Sequence, residues 1–405
     1  MLSLLRQGHY YYNNKIYLNR QSAFDDMLLN KDYNSSITFH FNEDVFDNIN
    51  WEIEPDIDIG LLYKMRAQQI RDKYNYIILS FSGGSDSTQI LWTFLKNNIF
   101  IDEIQIANYN EIVSKMDHSK MIKEDMLSEY LEYDYAAVPI LKKVAEISPN
   151  TKITIIDVSK DLVNNYKKSF GSLGFDDDNF HNGTQRLYVG IPRMYSYSLS
   201  RYNALSINPP NNSCIVKGFE KPGLSLDLKN RDTLYFTFND MTMRELENVR
   251  RKQIPDDFVS ELFFWSRDFP LIPIKQSHMI KRVLESNKDF YDLFFKRQIT
   301  MFKHDLSKKA GYSSAHSSER MVNYIIYPDW DPTVFTAPKP TSFKLEPESC
   351  LVKHVIGDHH GSEARKESIS YFNNKYSLIK DKYQFVKTFL SKKYQIGRMN
   401  IKWLI

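Results

Sequence analysis

Cysteine is almost missing. Cys214 and Cys350 are the only two in 405 residues, which rules out a disulfide framework, and neither sits at the spacing of a zinc site. A reducing, cytoplasmic setting is therefore expected. Long apolar runs are missing too: nothing approaches the roughly 18 residues of a membrane span. The opening Met1-Leu2-Ser3-Leu4-Leu5 is too short for a signal peptide, and no membrane partner is expected. Charge of one sign is missing as well, since 53 basic side chains against 50 acidic leave a net +3. That balance offers no argument for a dedicated nucleic-acid-binding protein, although a local patch stays compatible with one. No internal repeat or low-complexity segment is found. With 42% hydrophobic and 25% charged residues, the chain is globular in composition and long enough for one large domain or two ordinary ones.

One stretch organises what is present. Ile77 to Phe81 is a short apolar run of the kind a buried parallel strand uses. It breaks at Gly83 and Gly84, flanked by Ser82, Ser85, Ser87 and Thr88 and by one acid, Asp86. Ile90, Leu91, Phe94 and Leu95 then repeat at helical spacing. Strand, small-residue loop and helix follow one another. The glycines let the backbone turn tightly and approach a ligand with no Cβ in the way. Free N–H groups and the positive dipole end at the head of the helix make an anion cradle. Hydroxyls from Ser80 through Thr88 add donors, and Asp86 can hold a divalent cation against bound phosphates.

Ser82-Gly83-Gly84-Ser85-Asp86-Ser87 resembles the SGGxDS signature of the PP-loop ATP pyrophosphatases. That superfamily includes the asparagine, GMP, NAD and argininosuccinate synthetases, tRNA lysidine synthetase and several thiolases of tRNA. The motif lacks the Walker A order, so γ-phosphate transfer is not the implied chemistry. What the resemblance implies is cleavage of ATP, with Mg²⁺, between its α and β phosphates. An adenylylated carboxylate, carbonyl or amide oxygen would result, to be displaced by a nitrogen or sulfur nucleophile. The resemblance covers only the synthetase half of the asparagine synthetases: their glutaminase nucleophile is a cysteine after the initiator Met, and residue 2 here is Leu. In general character the sequence is also similar to PP-loop proteins of large tailed bacteriophages. That likeness implies a host cytoplasm and makes nucleobase or nucleic-acid modification an attractive setting.

Around the loop, residues 1–50 read as a small β-rich extension. It has a hairpin turning at Asn13-Asn14, a helix at 23–29 and a strand at 37–41. A helix at 59–71, with Leu62, Met65 and Ile70 inward, leads into the loop strand. Residues 101–109 read as a second strand, completing a βαβ unit. Ala107, Asn108 and Tyr109 then fall at its carboxyl end, where ligands lie and where the family binds adenine and ribose; simply ending a strand is the plain alternative. Residues 116–147 read as helical, broken near Pro139. A third strand at 152–158 and a helix at 160–170 follow. Arg186 and Arg193 are candidate clamps for phosphate or carboxylate. Asp176, Asp177 and Asp178 are weighed as Mg²⁺ ligands against a solvated loop. A fourth strand from Ser213 ends in a turn at Gly218, and Lys217 and Lys221 are candidates for neutralising a departing pyrophosphate. The acidic run that asparagine synthetases carry there is not found.

Beyond 237, helices are expected at 243–252, 275–284, 290–304 and through 362–405, the last with Phe385, Val386 and Phe389 inward. Phe263-Phe264-Trp265 reads as core. The resemblance offers Lys275 as a lysine reaching the α-phosphate, whereas His278 reads as structural. Asp358-His359-His360 has metal-ligand types, but an extended chain puts neighbours on opposite sides.

The expected architecture is an α/β fold. It has a parallel sheet of the adenine nucleotide α-hydrolase-like (HUP/PP-loop) type over 51–235, the extension at 1–50 and a mainly helical substrate domain over 236–405. The expected reaction is adenylylation of a small-molecule or nucleobase acceptor, releasing pyrophosphate, followed by attack of an amine or ammonia. Asp86, Lys217, Lys221, Lys275 and Arg193 would carry it, and Gly218 would approach the nucleotide. Two rivals stand beside it. Sulfur chemistry would need the redox cysteine of phosphoadenylylsulfate reductases or the paired cysteines of thiolases, and Cys350 is solitary. A non-catalytic ATP-binding module is the other, and the intact loop argues against it.

Overall fold

A computed structural model describes residues 6–18, 20–108, 137–157, 210–218, 221–227, 232–243, 259–301, 322–329, 377–379 and 389–401, with Asn110, Ser114, Tyr133 and Ser159 singly. The chain opens with β1 (His9–Tyr12) and β2 (Lys15–Tyr17), joined by Asn13 and Asn14 at φ 46° and 60°. Two successive positive-φ residues give the turn whose twist suits a hairpin, and asparagine tolerates it. After α1 (Arg20–Leu29), β3 (Thr38–His40) pairs on the other side of β1, and the short α2 (Glu43–Phe46) follows. α3 (Ile59–Lys73) is capped by Asp58, whose carboxylate accepts from the amides of Gly60 and Leu61. Its buried positions 59, 62, 63, 66, 67 and 70 keep the helical period. Met65 falls off that stripe and is exposed, not inward as expected.

The loop strand and helix are β4 (Tyr76–Phe81) and α4 (Ser85–Lys96). β5 (Glu103–Asn108), α5 (Val138–Ile147), β6 (Lys152–Asp157) and β7 (Ser213–Lys217) continue the α/β alternation. Near Pro139, where a break in the helical stretch was expected, α5 begins, with the proline in the first turn where its missing N–H costs nothing. Next come β8 (Gly223–Leu226), β9 (Thr233–Thr237), a 3-10 turn (Asp240–Met243), β10 (Val259–Leu262), α6 (Leu271–Ser286), α7 (Lys288–Met301) and β11 (Tyr394–Arg398).

β10, β7, β4, β5 and β6 lie side by side in that order, and every pairing among them is parallel. Numbered within the sheet and read from β6, the order is third, second, first, fourth, fifth, as in doubly wound α/β proteins. The reversal falls between β4 and β7. The strands follow on one side of β4 toward β5 and on the other toward β7; in open α/β sheets the carboxyl ends at such a reversal are where ligands bind. The sheet takes its fifth strand, β10, from the stretch expected to be a separate C-terminal unit, so residue 235 is not its limit. β9 pairs antiparallel with β8 and with β11. The last stretch, expected to finish as helix, finishes in strand: Tyr394 and Ile396 alternate inward and Gly397, at φ 111°, takes up a bulge. Phe263, Phe264 and Trp265 are buried in the shared core, as expected. Among the described residues no helix is long and apolar enough to cross a membrane.

Candidate functional site

β4 ends at Phe81, and the chain turns through exposed Ser82 and then Gly83, whose φ of 77° favours glycine. The loop's own serines hold its shape. The Gly84 amide donates to Ser82 Oγ (3.2 Å), the Ser82 amide to Ser87 Oγ (3.3 Å), and Ser87 Oγ to the Gly84 carbonyl (3.2 Å). No side chain caps α4 at Gly84. The positive end of the helix thus keeps first-turn N–H groups for an anion.

β7 supplies the opposite wall. Leu79 pairs with Val216, so Lys217 and Gly218 run beside the loop. Lys217 is buried at the strand's end. Gly218 is there for packing: a Cβ would stand 2.2 Å from Ile90 Cδ1 on α4 and 3.2 Å from Phe264. Lys221 turns back over the helix head. Its ammonium lies 3.0 Å from Asp86 Oδ1 and 3.4 Å from Ser85 Oγ. Ser85 Oγ and the hydroxyl of Tyr327 also donate to Asp86 Oδ1, at 3.2 Å and 2.7 Å. All three contacts described for this carboxylate fall on one oxygen. The site is open, with the Asp86 and Lys221 side chains 21% and 27% exposed.

On the other flank Phe81 pairs with Ile106, so Ala107 and Asn108 run on past the end of β4. Asn108 is buried and its Oδ1 has no partner; Thr88 Oγ1, on the first turns of α4, is in the same state. Buried polar atoms are ordinarily satisfied, so these two are conspicuous at a sheet edge.

The structure thus brings together Ser80, the loop from Ser82 to Thr88 and Lys221, with Ala107, Asn108, Lys217 and Gly218 along the same edge. Lys275 is engaged elsewhere, 2.7 Å from Glu54 Oε1 and 3.0 Å from the Pro55 carbonyl. His278 behaves structurally, its Nε2 2.9 Å from the Trp51 carbonyl, with burial lowering its pKa. Tyr109, Arg193, Arg186, the acid triplet at 176–178 and the segment 358–360 lie outside the described residues. Tyr327 was missed. Its hydroxyl reaches Asp86 from far along the chain, and neither spacing nor a motif marks it.

Among the described residues no three or more His, Cys, Asp or Glu side chains gather to hold a metal. One carboxylate with an oxygen outside its protein contacts fits Mg²⁺, which keeps waters and arrives on substrate phosphates. Comparison with protein-family models and with curated proteins finds no match for this chain.

Proposed function

We propose that the chain is a PP-loop ATP pyrophosphatase with a sheet of the HUP type, transferring the adenylyl group of ATP to an acceptor oxygen. The observation that carries this reading is the meeting of Lys221 with Asp86 and Ser85 at the head of α4, beside the strand-order reversal of a parallel sheet. A reversal of that kind is where such sheets bind nucleotides. The uncapped helix end, the glycine turn and a lysine are donors of the sort that hold a polyphosphate.

In this reading the acceptor oxygen attacks the α-phosphorus, and the bridge to the β-phosphate breaks with its electron pair leaving on pyrophosphate. An amine or ammonia then attacks the activated carbon, and AMP departs. Amides of the loop and the ammonium of Lys221 balance charge that grows on the leaving group, with Lys217 close by; such fixed donors cost no reorganisation at the moment of reaction. Asp86 would hold Mg²⁺, which when bound supplies electrophilic stabilisation of the phosphates. A nucleobase or small-molecule acceptor is the substrate class, in line with the resemblance to phage proteins.

Sulfur transfer ranks second to nitrogen. Cys214 is fully buried in the central strand β7, with no access for a thiol-based step. Incubation with α- and γ-labelled ATP and candidate acceptors tests the reading. AMP with pyrophosphate is the expected product pair. ADP with phosphate contradicts it, and tight ATP binding without turnover favours a binding module.

A further inference from the structure

We infer that Tyr327 is a positioning residue for Asp86, spending one carboxylate oxygen inside the protein so that the other faces the cation that accompanies the polyphosphate. The inference rests on the nucleotide reading above.

A carboxylate turns easily about its last torsion, whose energy wells are broad. Its direction must therefore be set by partners. Lys221 and Tyr327 both bind Oδ1, but they differ in how firmly they are held. Lys221 is a long, partly exposed side chain on a loop. Tyr327 is buried and fixed from three sides. Its ring lies against Phe264, with centroids 5.5 Å apart. On its N-terminal side, the Ile326 carbonyl accepts from the hydroxyl of Tyr63 on α3 (2.8 Å), which in turn accepts from Gln276 Nε2 on α6 (2.8 Å). On its C-terminal side, Asp329 is tied to α4: Gln89 Nε2 donates to its Oδ2 at 3.1 Å, and its own amide donates back to Gln89 Oε1 at 3.3 Å. Three helices thus fix the segment whose hydroxyl aims at Asp86. Tyr63 and Gln276 are fully buried and take no part in the proposed chemistry. Support of this kind, from rigid elements through a second layer of hydrogen bonds, is what holds a ligating carboxylate in one orientation.

Calorimetric titration of the full chain with ATP at a series of Mg²⁺ concentrations tests this. Tyr327→Phe keeps the ring on Phe264 and removes only the hydroxyl. It is expected to need about tenfold more Mg²⁺ for half-maximal enhancement of ATP affinity, the usual scale for losing such a supporting group. Affinity for ATP without metal should stay within about twofold of wild type, a split that general loosening of the site would not give. Tyr63→Phe should shift the Mg²⁺ requirement the same way by less. Because both act along one path, the double variant should go no further than Tyr327→Phe alone. An unchanged or lowered Mg²⁺ requirement in Tyr327→Phe, or additive shifts in the double variant, overturns the inference and leaves the nucleotide reading standing. A wild-type chain that binds no ATP at any Mg²⁺ concentration removes both.

Discussion

Among the places where the described residues join a carboxylate, a cation and a tyrosine hydroxyl, three are not built alike. Asp240 takes Arg20 and Tyr10 on Oδ2 and the Phe389 amide on Oδ1, and the Arg20 and Asp240 side chains are both 0% exposed. Glu261 takes Lys73 and Tyr74 on Oε1 and Arg66 on Oε2, and is 5% exposed. Asp86 takes Lys221 and Tyr327 on Oδ1 and is open to solvent. The first two are joints. Asp240 ties the N-terminal hairpin to the segments after β9 and before β11, and Glu261 ties α3 to β10. A buried carboxylate needs its charge compensated, and in these two both carboxylate oxygens are used. At Asp86 the described contacts use one oxygen only, and the side chain is 21% exposed. Residue types alone therefore do not separate a joint from a site; Asp86 is set apart by its place at the head of α4 beside the strand-order reversal.

Reciprocal substitutions should give the largest effects. Asp86→Ala is expected to lower pyrophosphate release by at least about 100-fold, the scale of a lost electrostatic group, while the far-UV circular dichroism and Tm stay close to wild type. Asp240→Ala should do the opposite. It leaves Arg20 buried without its partner, at a cost of about 3–5 kcal/mol, so Tm falls while ATP affinity per folded molecule holds. If Asp86→Ala unfolds the chain, or Asp240→Ala loses ATP and keeps its Tm, the contrast between site and joint is gone. Lys221→Ala comes next. A hydrogen bond to a charged group is worth about 1.5–3 kcal/mol, so ATP should bind roughly 10- to 100-fold more weakly by calorimetry, with little change in Tm.

Glu261 gives the comparison a pH signature. Burial pushes its carboxyl up, but Arg66, the Tyr74 hydroxyl and Lys73 more than offset that and hold it below the ordinary value of 4.5. A depressed folded-state pKa contributes stability that is fully present above the unfolded value and is lost as pH falls through the folded one. Tm of the wild type should therefore decline below about pH 4.5 more steeply than that of Glu261→Gln, which has no proton to take up. Parallel curves in that window would mean that the network carries no charge-dependent stability.

The sequence announced the parts of this molecule that are local. The hairpin was legible because two asparagines can take positive φ in succession, and the loop because glycines, hydroxyls and an acid follow an apolar strand. Both depend on neighbours in the chain. What escaped depends on partners far along it. Tyr327 is an ordinary tyrosine before a proline until folding lays its segment on α4. Lys275, offered by the resemblance, meets Glu54 instead, an acid whose place beside α6 no spacing could announce. β10 is the short run Val259-Ser260-Glu261-Leu262, an edge strand, and its acid at a buried position hides the apolar signature of a parallel strand. Only the arrival of Arg66 and Lys73 makes that acid tolerable. β11 was read as helix because the aromatics before it suggested a helical face, while its own inward pair is only Tyr394 and Ile396.

The smallest expected effect concerns the thiol. Cys214 lies in β7, one strand from the loop, yet the balance of its surroundings argues for inertness. Burial raises its pKa well above the ordinary value, and the nearby charge of Glu261 raises it further, outweighing Arg66, Arg71 and Lys73. Since the thiolate is the nucleophile, such a group does not react at neutral pH. Iodoacetamide should leave Cys214 unmodified in the native protein and label it only after denaturation, as peptide mass mapping would read. Cys214→Ala should keep the wild-type rate of pyrophosphate release and cost about 1 kcal/mol for the small cavity. Native labelling of Cys214 together with lost turnover would instead make β7 a reactive wall of the site and bring sulfur transfer back ahead of nitrogen.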